Sequence, residues 1–249
     1  MSKLKGMAWL GVAATAGMAM AVGLPWLARH IPWSFERRLA GIDATFEATT
    51  CGKPPDAAHR ALQRLVSRLY PLDADDRAVP ISIDVVRGDT VNAFAALGGR
   101  IYVYDGLLQQ AQSPDELAGV LAHEIEHVRQ RHIMQGVVVS LVTWGGLKLI
   151  FQTGDAGMTR LLLSLSFSRE QEAEADEGGL QRLRRARISA RGFQQFFERA
   201  GNEAGVPSIL ASHPAGEDRA ARAARFAGYP ASPALDAGDW RELRTICAH

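Results

Sequence analysis

Ala-His-Glu-Ile-Glu-His at residues 122–127 constrains this chain more than any other stretch. Within it, His123, Glu124 and His127 make an HExxH pattern. On a helix, side chains four apart lie about 40° apart around the axis, one turn up. The two imidazoles therefore point the same way and can hold one metal ion between them. Glu124, about 100° round from His123, stands beside such an ion. A general base is needed there to take a proton from a water that the metal activates. That is the pattern of a zinc peptidase core. A solvated helix face carrying two histidines is the plainer alternative, and the neighbours speak against it. Leu117, Leu121, Ile125 and Val128 make an apolar stripe beside the one that carries Val120, His123 and His127. Polar groups next to a core need partners. Ser113, Pro114 and Glu116 read as N-cap, N1 and N3 of a capping box, which gives Glu116 a structural role. The spacing predicts a metal helix from about Pro114 to Ile133.

A third ligand should come from a separate helix. Downstream, Ser168-Arg169-Glu170-Gln171-Glu172-Ala173-Glu174-Ala175-Asp176 offers three glutamates. Glu172 and Asp176 share one face, Glu170 and Glu174 another. If Glu172 binds the metal, Asp176 stands one turn on, able to accept the ring N–H of a metal-bound histidine and fix its tautomer. Taken alone, the stretch also reads as an acidic helix surface.

With both segments in view, the chain resembles the HtpX-like and CaaX-prenyl-protease-like zinc metallopeptidases, most of all their bacterial periplasmic branch and its mitochondrial inner-membrane relatives. Three further stretches carry the resemblance: Asn92-Ala93-Phe94-Ala95; Gly98-Gly99-Arg100-Ile101-Tyr102-Val103-Tyr104 with Gly106-Leu107-Leu108; and Ser212-His213-Pro214 with Arg219 after it. The resemblance implies that His123, His127 and Glu172 bind one zinc ion per chain and that Glu124 is the catalytic base. It implies that Asp176 supports a ligand and that Arg219 helps hold the C-terminal part of the site. His213 would face the site, either steadying the oxyanion or capping zinc in a resting state. One departure stands out. After Ala175-Asp176 the family usually has a basic and then an aliphatic residue, whereas this chain has Glu177, Gly178 and Gly179. Two glycines should weaken the helix by about 1 kcal/mol each relative to alanine.

The chain has 249 residues and a formal net charge of +1. That suits one good-sized domain plus an appendage and offers no basic field for nucleic acid. Lys3 and Lys5 precede an apolar run from about Gly6 to Ala28, long enough for a bilayer core of about 30 Å. Ala19-Met20-Ala21 could be a signal-peptide cleavage site. The apolar run continues past it through Leu24, Trp26 and Leu27, which favours an uncleaved anchor. The only cysteines are Cys51 and Cys247, near the two ends of the expected domain. Chain ends are often close in space, so a bridge is expected, and with it an oxidising compartment.

These readings predict a mostly helical α+β, zincin-like metallopeptidase domain with a small sheet, preceded by one N-terminal transmembrane helix. The expected organisation is an anchor or signal segment at 1–30, a juxtamembrane linker at 31–50, the zinc domain at 51–228 and a C-terminal tail at 229–249. Leu62, Leu65 and Leu69 predict a helix over 56–70. Residues 81–86, 91–95 and 100–104 predict short strands, with Gly98-Gly99 a hairpin turn. The strand at 100–104 is expected to be an open edge that an extended substrate can join. The apolar run at 136–151 is either buried or dips into the membrane surface. The Ala/Arg-rich stretch at 219–226 reads as a solvated helix, and Phe193, Phe196 and Phe197 as core. The expected function is a membrane-tethered, zinc-dependent endopeptidase of the inner membrane. Its catalytic domain would lie in the periplasm, acting on misfolded or unassembled envelope polypeptides. A zinc-binding chaperone or assembly factor with little turnover is the competing class, and a zinc hydrolase of non-peptide substrates a third.

Overall fold

The computed structural model describes residues 23–40, 49–51, 56–71, 79, 81–143, 161–202, 213, 219–226 and 228–248. Of the expected anchor, residues 1–22 lie outside the described residues. Residues 23–29 are helical and leave Trp26 and Leu27 exposed. Among the described residues, no helix is long and apolar enough to cross a membrane.

Helix α1 (Trp33–Ala40) precedes α2 (Ala57–Leu69). The leucine spacing acts as expected: Leu62, Leu65 and Leu69 are buried on one face of α2, and Asp56 caps it by accepting from the His59 N–H at 2.8 Å. Three strands follow: β1 (Ser82–Val86), β2 (Ala93–Ala95) and β3 (Arg100–Tyr104). Gly98 and Gly99 turn the chain between β2 and β3 with φ of 74° and 84°, a conformation glycine adopts without strain. A side chain at Gly98 would also meet the Ala40 methyl at 2.9 Å, because α1 sits on this turn and Glu36 accepts the Gly98 N–H at 2.9 Å.

The sheet order is β1-β3-β2, with β1 parallel and β2 antiparallel to β3. The expected open edge at 100–104 is therefore corrected: β3 is the central strand, Tyr102 is fully buried and Tyr104 partly so. Beyond β1, Cys51 N–H donates to Val85 O at 2.8 Å and Arg87 N–H to Thr49 O at 2.9 Å. Among the described residues, the outer edge of the sheet belongs to β2.

Helix α3 (Asp105–Gln110) leads to α4 (Pro114–Arg129), then α5 (His132–Thr143), α6 (Arg169–Arg185), α7 (Ala190–Asn202), α8 (Arg219–Ala224) and α9 (Ala237–Arg244). Ser113 caps α4 as expected, accepting the Glu116 N–H. The capping box does not close, because the Glu116 carboxylate accepts from Gln112 N–H and Arg199 instead. The helix expected to reach Ile133 also stops short of it. It ends at Arg129, and Arg131 takes a left-handed φ of 63° before α5 begins. In the apolar run at 136–151, Val137 is buried and Val142 exposed, while 144–151 lies outside the described residues. Helix α8 is not simply solvated: Arg219 and Ala223 are buried. The aromatic stripe of α7 is core, as Phe193, Phe196 and Phe197 are all buried.

Residues 228–248 pack back onto α2. Arg64 pairs with Asp239 through Nε at 2.6 Å, and Arg68 donates to the Ala234 carbonyl at 2.7 Å. Within the stretch read as a tail, α9 is capped by Asp236, which accepts the Asp239 N–H. Leu243, Ile246 and Cys247 are buried, and Cys247 is bridged to Cys51, with Cα atoms 4.8 Å apart. The bridge closes 196 residues of sequence. Chain entropy alone makes that about 5 kcal/mol of stabilisation, an upper figure. Urea unfolding of Cys51→Ser with Cys247→Ser should show a large loss of stability against the oxidised protein. Equal stability would mean that the bridge restrains nothing.

Candidate metal centre

Helices α4 and α6 pack tightly side by side, and glycine permits it. A Cβ on Gly179 would lie 3.2 Å from the His123 nitrogen, and one on Gly178 only 2.6 Å from Glu126 Oε2. The helix runs unbroken through both. The pair of glycines thus admits the neighbouring helix, which offsets their low helix propensity. The two glutamates inside the motif point apart. Glu126 turns away from the histidines to a buried pair with Arg182 (Nη2 to Oε1, 2.6 Å), and Arg182 in turn donates to the Leu69 carbonyl at 2.7 Å, tying α2, α4 and α6 together. Gly178→Ala should disrupt this pair. Although alanine is the better helix former, thermal unfolding should show a net loss of about 1–3 kcal/mol. A gain in stability would show that Glu126 can step aside.

Along the same α4–α6 contact, four buried donors converge. Ligand atoms of His123, His127, Glu172 and His213 all lie within 4.8 Å of one another. His123 Nε2 and His127 Nε2 are 3.0 Å apart, and the Glu172 carboxylate oxygens lie 3.6 and 3.4 Å from them. The second nitrogen of each ring decides what these atoms are. His123 Nδ1 is 3.0 Å from Asp176 Oδ1, a carboxylate also held by Arg219 (2.9 Å) and Arg222 (2.8 Å), so Nδ1 carries the proton. His127 Nδ1 faces His132 Nδ1 at 3.0 Å, and His132 Nε2 faces Glu174 Oε2 at 3.2 Å. His132 donates to that carboxylate and so accepts from His127. Both Nε2 atoms are left as bare lone pairs pointing at one another beside a carboxylate. That donor set fits a cation.

Glu124 lies next to this group, fully buried. Its Oε2 accepts the Ala95 N–H of β2 at 2.9 Å, and its Oε1 is 3.3 Å from His213 Nε2. His213 Nδ1 donates to Glu172 Oε1 at 3.0 Å, and Arg219 Nη2 donates to Glu172 Oε2 at 2.8 Å.

Residues 56–227, which hold every one of these groups, match the model of Peptidase family M48. The chain belongs to this family. It is 32% identical over 180 residues to the beta-barrel assembly-enhancing protease of Escherichia coli, covering 64% of this chain and 36% of that protein. It is 31% identical over 170 residues to the metalloprotease LoiP of Escherichia coli, covering 64% and 67%. With the mitochondrial metalloendopeptidase OMA1 of Arabidopsis thaliana it shares 36% identity over 143 residues, covering 54% and 29%. The chain thus spans a little over a third of the length of the assembly-enhancing proteases.

The electrostatics of this M48 site follow from its burial. Burial pushes the Glu124 carboxyl above its ordinary range, against the pull of His213 and His123. Burial holds the His127 imidazole well below its usual value, more than Glu172 restores. Burial would also raise Glu172, but the imidazoles of His127, His213 and His123 outweigh it and keep the carboxyl well below the usual range. At Asp176 burial is likewise overcome, by His123 and Arg219. Burial works against a charged His213, yet Glu124 and Glu172 raise it above the ordinary imidazole value.

Every residue singled out from the sequence is thus in one cluster: His123, Glu124, His127, Glu172, Asp176, His213 and Arg219. Sequence reasoning gave no site role to three neighbours. Phe167 covers the site, its ring 4.0 Å from His127 and stacked 5.3 Å from His213. Phe197 lies 5.9 Å from His123 and under the Arg219 guanidinium at 4.2 Å. The third is His132, whose buried imidazole is pushed down to about 4 by desolvation against the pull of Glu174, and so is neutral at pH 7. The chain has only seven histidines, and one so near the motif was the signal that could have found it.

Proposed function

We propose that this protein is a zinc-dependent endopeptidase that hydrolyses polypeptides. The reading rests on one observation: two buried imidazole nitrogens 3.0 Å apart and the Glu172 carboxylate converge beside a second buried carboxylate, Glu124. In this reading His123, His127 and Glu172 are the ligands. Zinc held there supplies Lewis acidity, polarising a scissile carbonyl and making water acidic near pH 7. Glu124 takes the proton of the attacking water and delivers it to the leaving amine. Its raised pKa suits a group that must accept a proton and give it back. Asp176 fixes the His123 tautomer, and Arg219 steadies both Glu172 and Asp176. His213 would steady the developing oxyanion or, once Nδ1 gives up the proton it shares with Glu172, serve as a further donor when no substrate is present.

An extended substrate would pair with β2, whose Ala95 already reaches Glu124. Among the described residues the path is narrow. A cavity of about 30 Å³ lies between Asn92, Phe94, Leu163, Phe167 and His213. Segment 161–167 must give way before a polypeptide reaches Glu124. That closure also favours a second reading, a zinc-binding chaperone or assembly factor with little turnover.

Within the family we read the chain with the HtpX-like and CaaX-prenyl-protease-like members of the periplasmic branch, and its role as quality control of cell-envelope proteins. Likeness to the assembly-enhancing proteases and LoiP supports this. We also propose that residues 1–30 tether it to the inner membrane, with the domain in the periplasm, where the Cys51–Cys247 bridge would be stable. Mass spectrometry of unfolded protein incubated with wild type or Glu124→Gln tests the reading. Internal cleavage by wild type alone is expected. Zinc-loaded wild type that produces no new peptides, but suppresses aggregation, would favour the chaperone.

A further inference from the structure

The geometry points to His132, held by Glu174, as the residue that orients His127 for metal binding. This rests on the metal site proposed above, but concerns residues outside its donor set. His132 lies five positions after His127. On a continuous helix it would point about 140° away from it. The helix is not continuous. Helix α4 ends at Arg129, the chain turns through Arg131 at a φ of 63°, and His132 opens α5. That turn swings the His132 ring onto His127, edge to face, with centroids 5.0 Å apart and Nδ1 facing Nδ1 at 3.0 Å.

A left-handed turn at a non-glycine residue is strained and persists only where surroundings hold it. Here they do. The Arg131 guanidinium pairs with the buried Glu36 at 3.1 Å, stacks 3.8 Å over the Trp33 ring and donates to the Ile31 carbonyl. Helix α1 and the chain just before it thereby clamp the turn.

For a neutral His132 the proton count then has one solution. Glu174 can only accept, so His132 Nε2 carries hydrogen and its Nδ1 is a lone pair. His127 Nδ1–H donates to that lone pair, which leaves His127 Nε2 bare toward Glu172 and His123. The two histidines of the motif are thus oriented by different means. His123 has a carboxylate of its own in Asp176, whereas His127 reaches one only through a second imidazole. Arg29, 3.7 Å from Glu174, extends the line to the segment that follows the apolar N-terminal run.

The test is zinc affinity of the full chain, measured by chelator competition. His132→Phe keeps a flat ring but removes the acceptor, and should weaken zinc by about 10–100-fold. His132→Asn restores an acceptor near the Nδ1 position and should recover most of that loss. Glu174→Ala should shift affinity in the same direction by less. Unchanged affinity in His132→Phe would overturn the relay, as would His132→Asn behaving like Phe, since packing alone would then explain both. Imidazole ¹⁵N spectra of the zinc-free protein give a reading independent of metal. They should show His127 protonated at Nδ1 and His132 at Nε2. The opposite tautomers would overturn the relay. Failure of wild type to bind zinc while the tautomers are as expected would instead sink the metal reading and leave the orienting contact standing.

Discussion

Glu124→Gln is expected to bind zinc and fold as wild type does, while hydrolysing polypeptide about 10²–10⁴-fold more slowly. The substitution keeps the shape of the side chain, and its carbonyl oxygen can still accept the Ala95 N–H that Glu124 Oε2 accepts at 2.9 Å. What it removes is the ability to accept a proton at neutral pH, since an amide is not a base there. The Glu124 carboxylate is fully buried, and burial has raised its affinity for that proton. Among the described residues, His213 is an alternative 3.3 Å away, but the carboxylates around it favour its protonated form. Release of labelled peptides from unfolded casein, together with zinc content by atomic absorption, measures both halves of the expectation. Near-wild-type turnover in the variant would sink the mechanism.

The second large effect is expected at the third ligand. Wild type should carry about one zinc per chain, and His123→Ala, His127→Ala and Glu172→Ala should each lose most of it. Glu174→Ala should remain close to stoichiometric, because its half-exposed carboxylate touches His132 and Arg29 and none of the four converging donors. Glu172→Ala carries an added cost. Arg219 donates to Glu172 at 2.8 Å from a buried position, and removing one partner of such a pair costs about 3–5 kcal/mol. Glu172→Gln separates the effects, since its amide oxygen can still accept from Arg219 but offers zinc no charge. Zinc-free, folded Glu172→Gln is the expected outcome. Loss of metal in Glu174→Ala with retention in Glu172→Gln would show the third ligand to be wrongly assigned.

Both expectations begin from residues whose directions are set locally. Within one helix, spacing fixes direction: His123 and His127 had to share a face, and Glu124 had to stand to one side of it. The Ser113 cap, the buried leucines of α2 and the bounds of β3 were legible for the same reason. Glu172 was not legible from its own segment, where Glu170 and Glu174 are chemically equal to it. The family resemblance selected it, and the packing of α6 on α4 brings it to the histidines. Asp176, one turn on, then follows by the same local rule and does meet His123 at 3.0 Å. The Cys51–Cys247 pair could be guessed because the chain has only two cysteines.

What the sequence did not reveal lies where one element meets another. The period of a strand says which residues share a face but not which strand is central, so β3 was taken for the edge that β2 provides. Helix propensity runs on past Arg129, and nothing in Gln130-Arg131-His132 announces a left-handed turn. Glu36 and Trp33, nearly a hundred residues earlier, hold that turn and so decide that His132 faces His127. Arg219 lies in a stretch that reads as solvated, so only the family resemblance gave it a place at the site; its partners, Glu172 and Asp176, come from α6. Chemistry that depends on spacing along one helix is written in the sequence. Chemistry that depends on which surfaces touch is decided by packing, because a side chain's partner across an interface is chosen by the fit of the whole element and not by its neighbours in the chain.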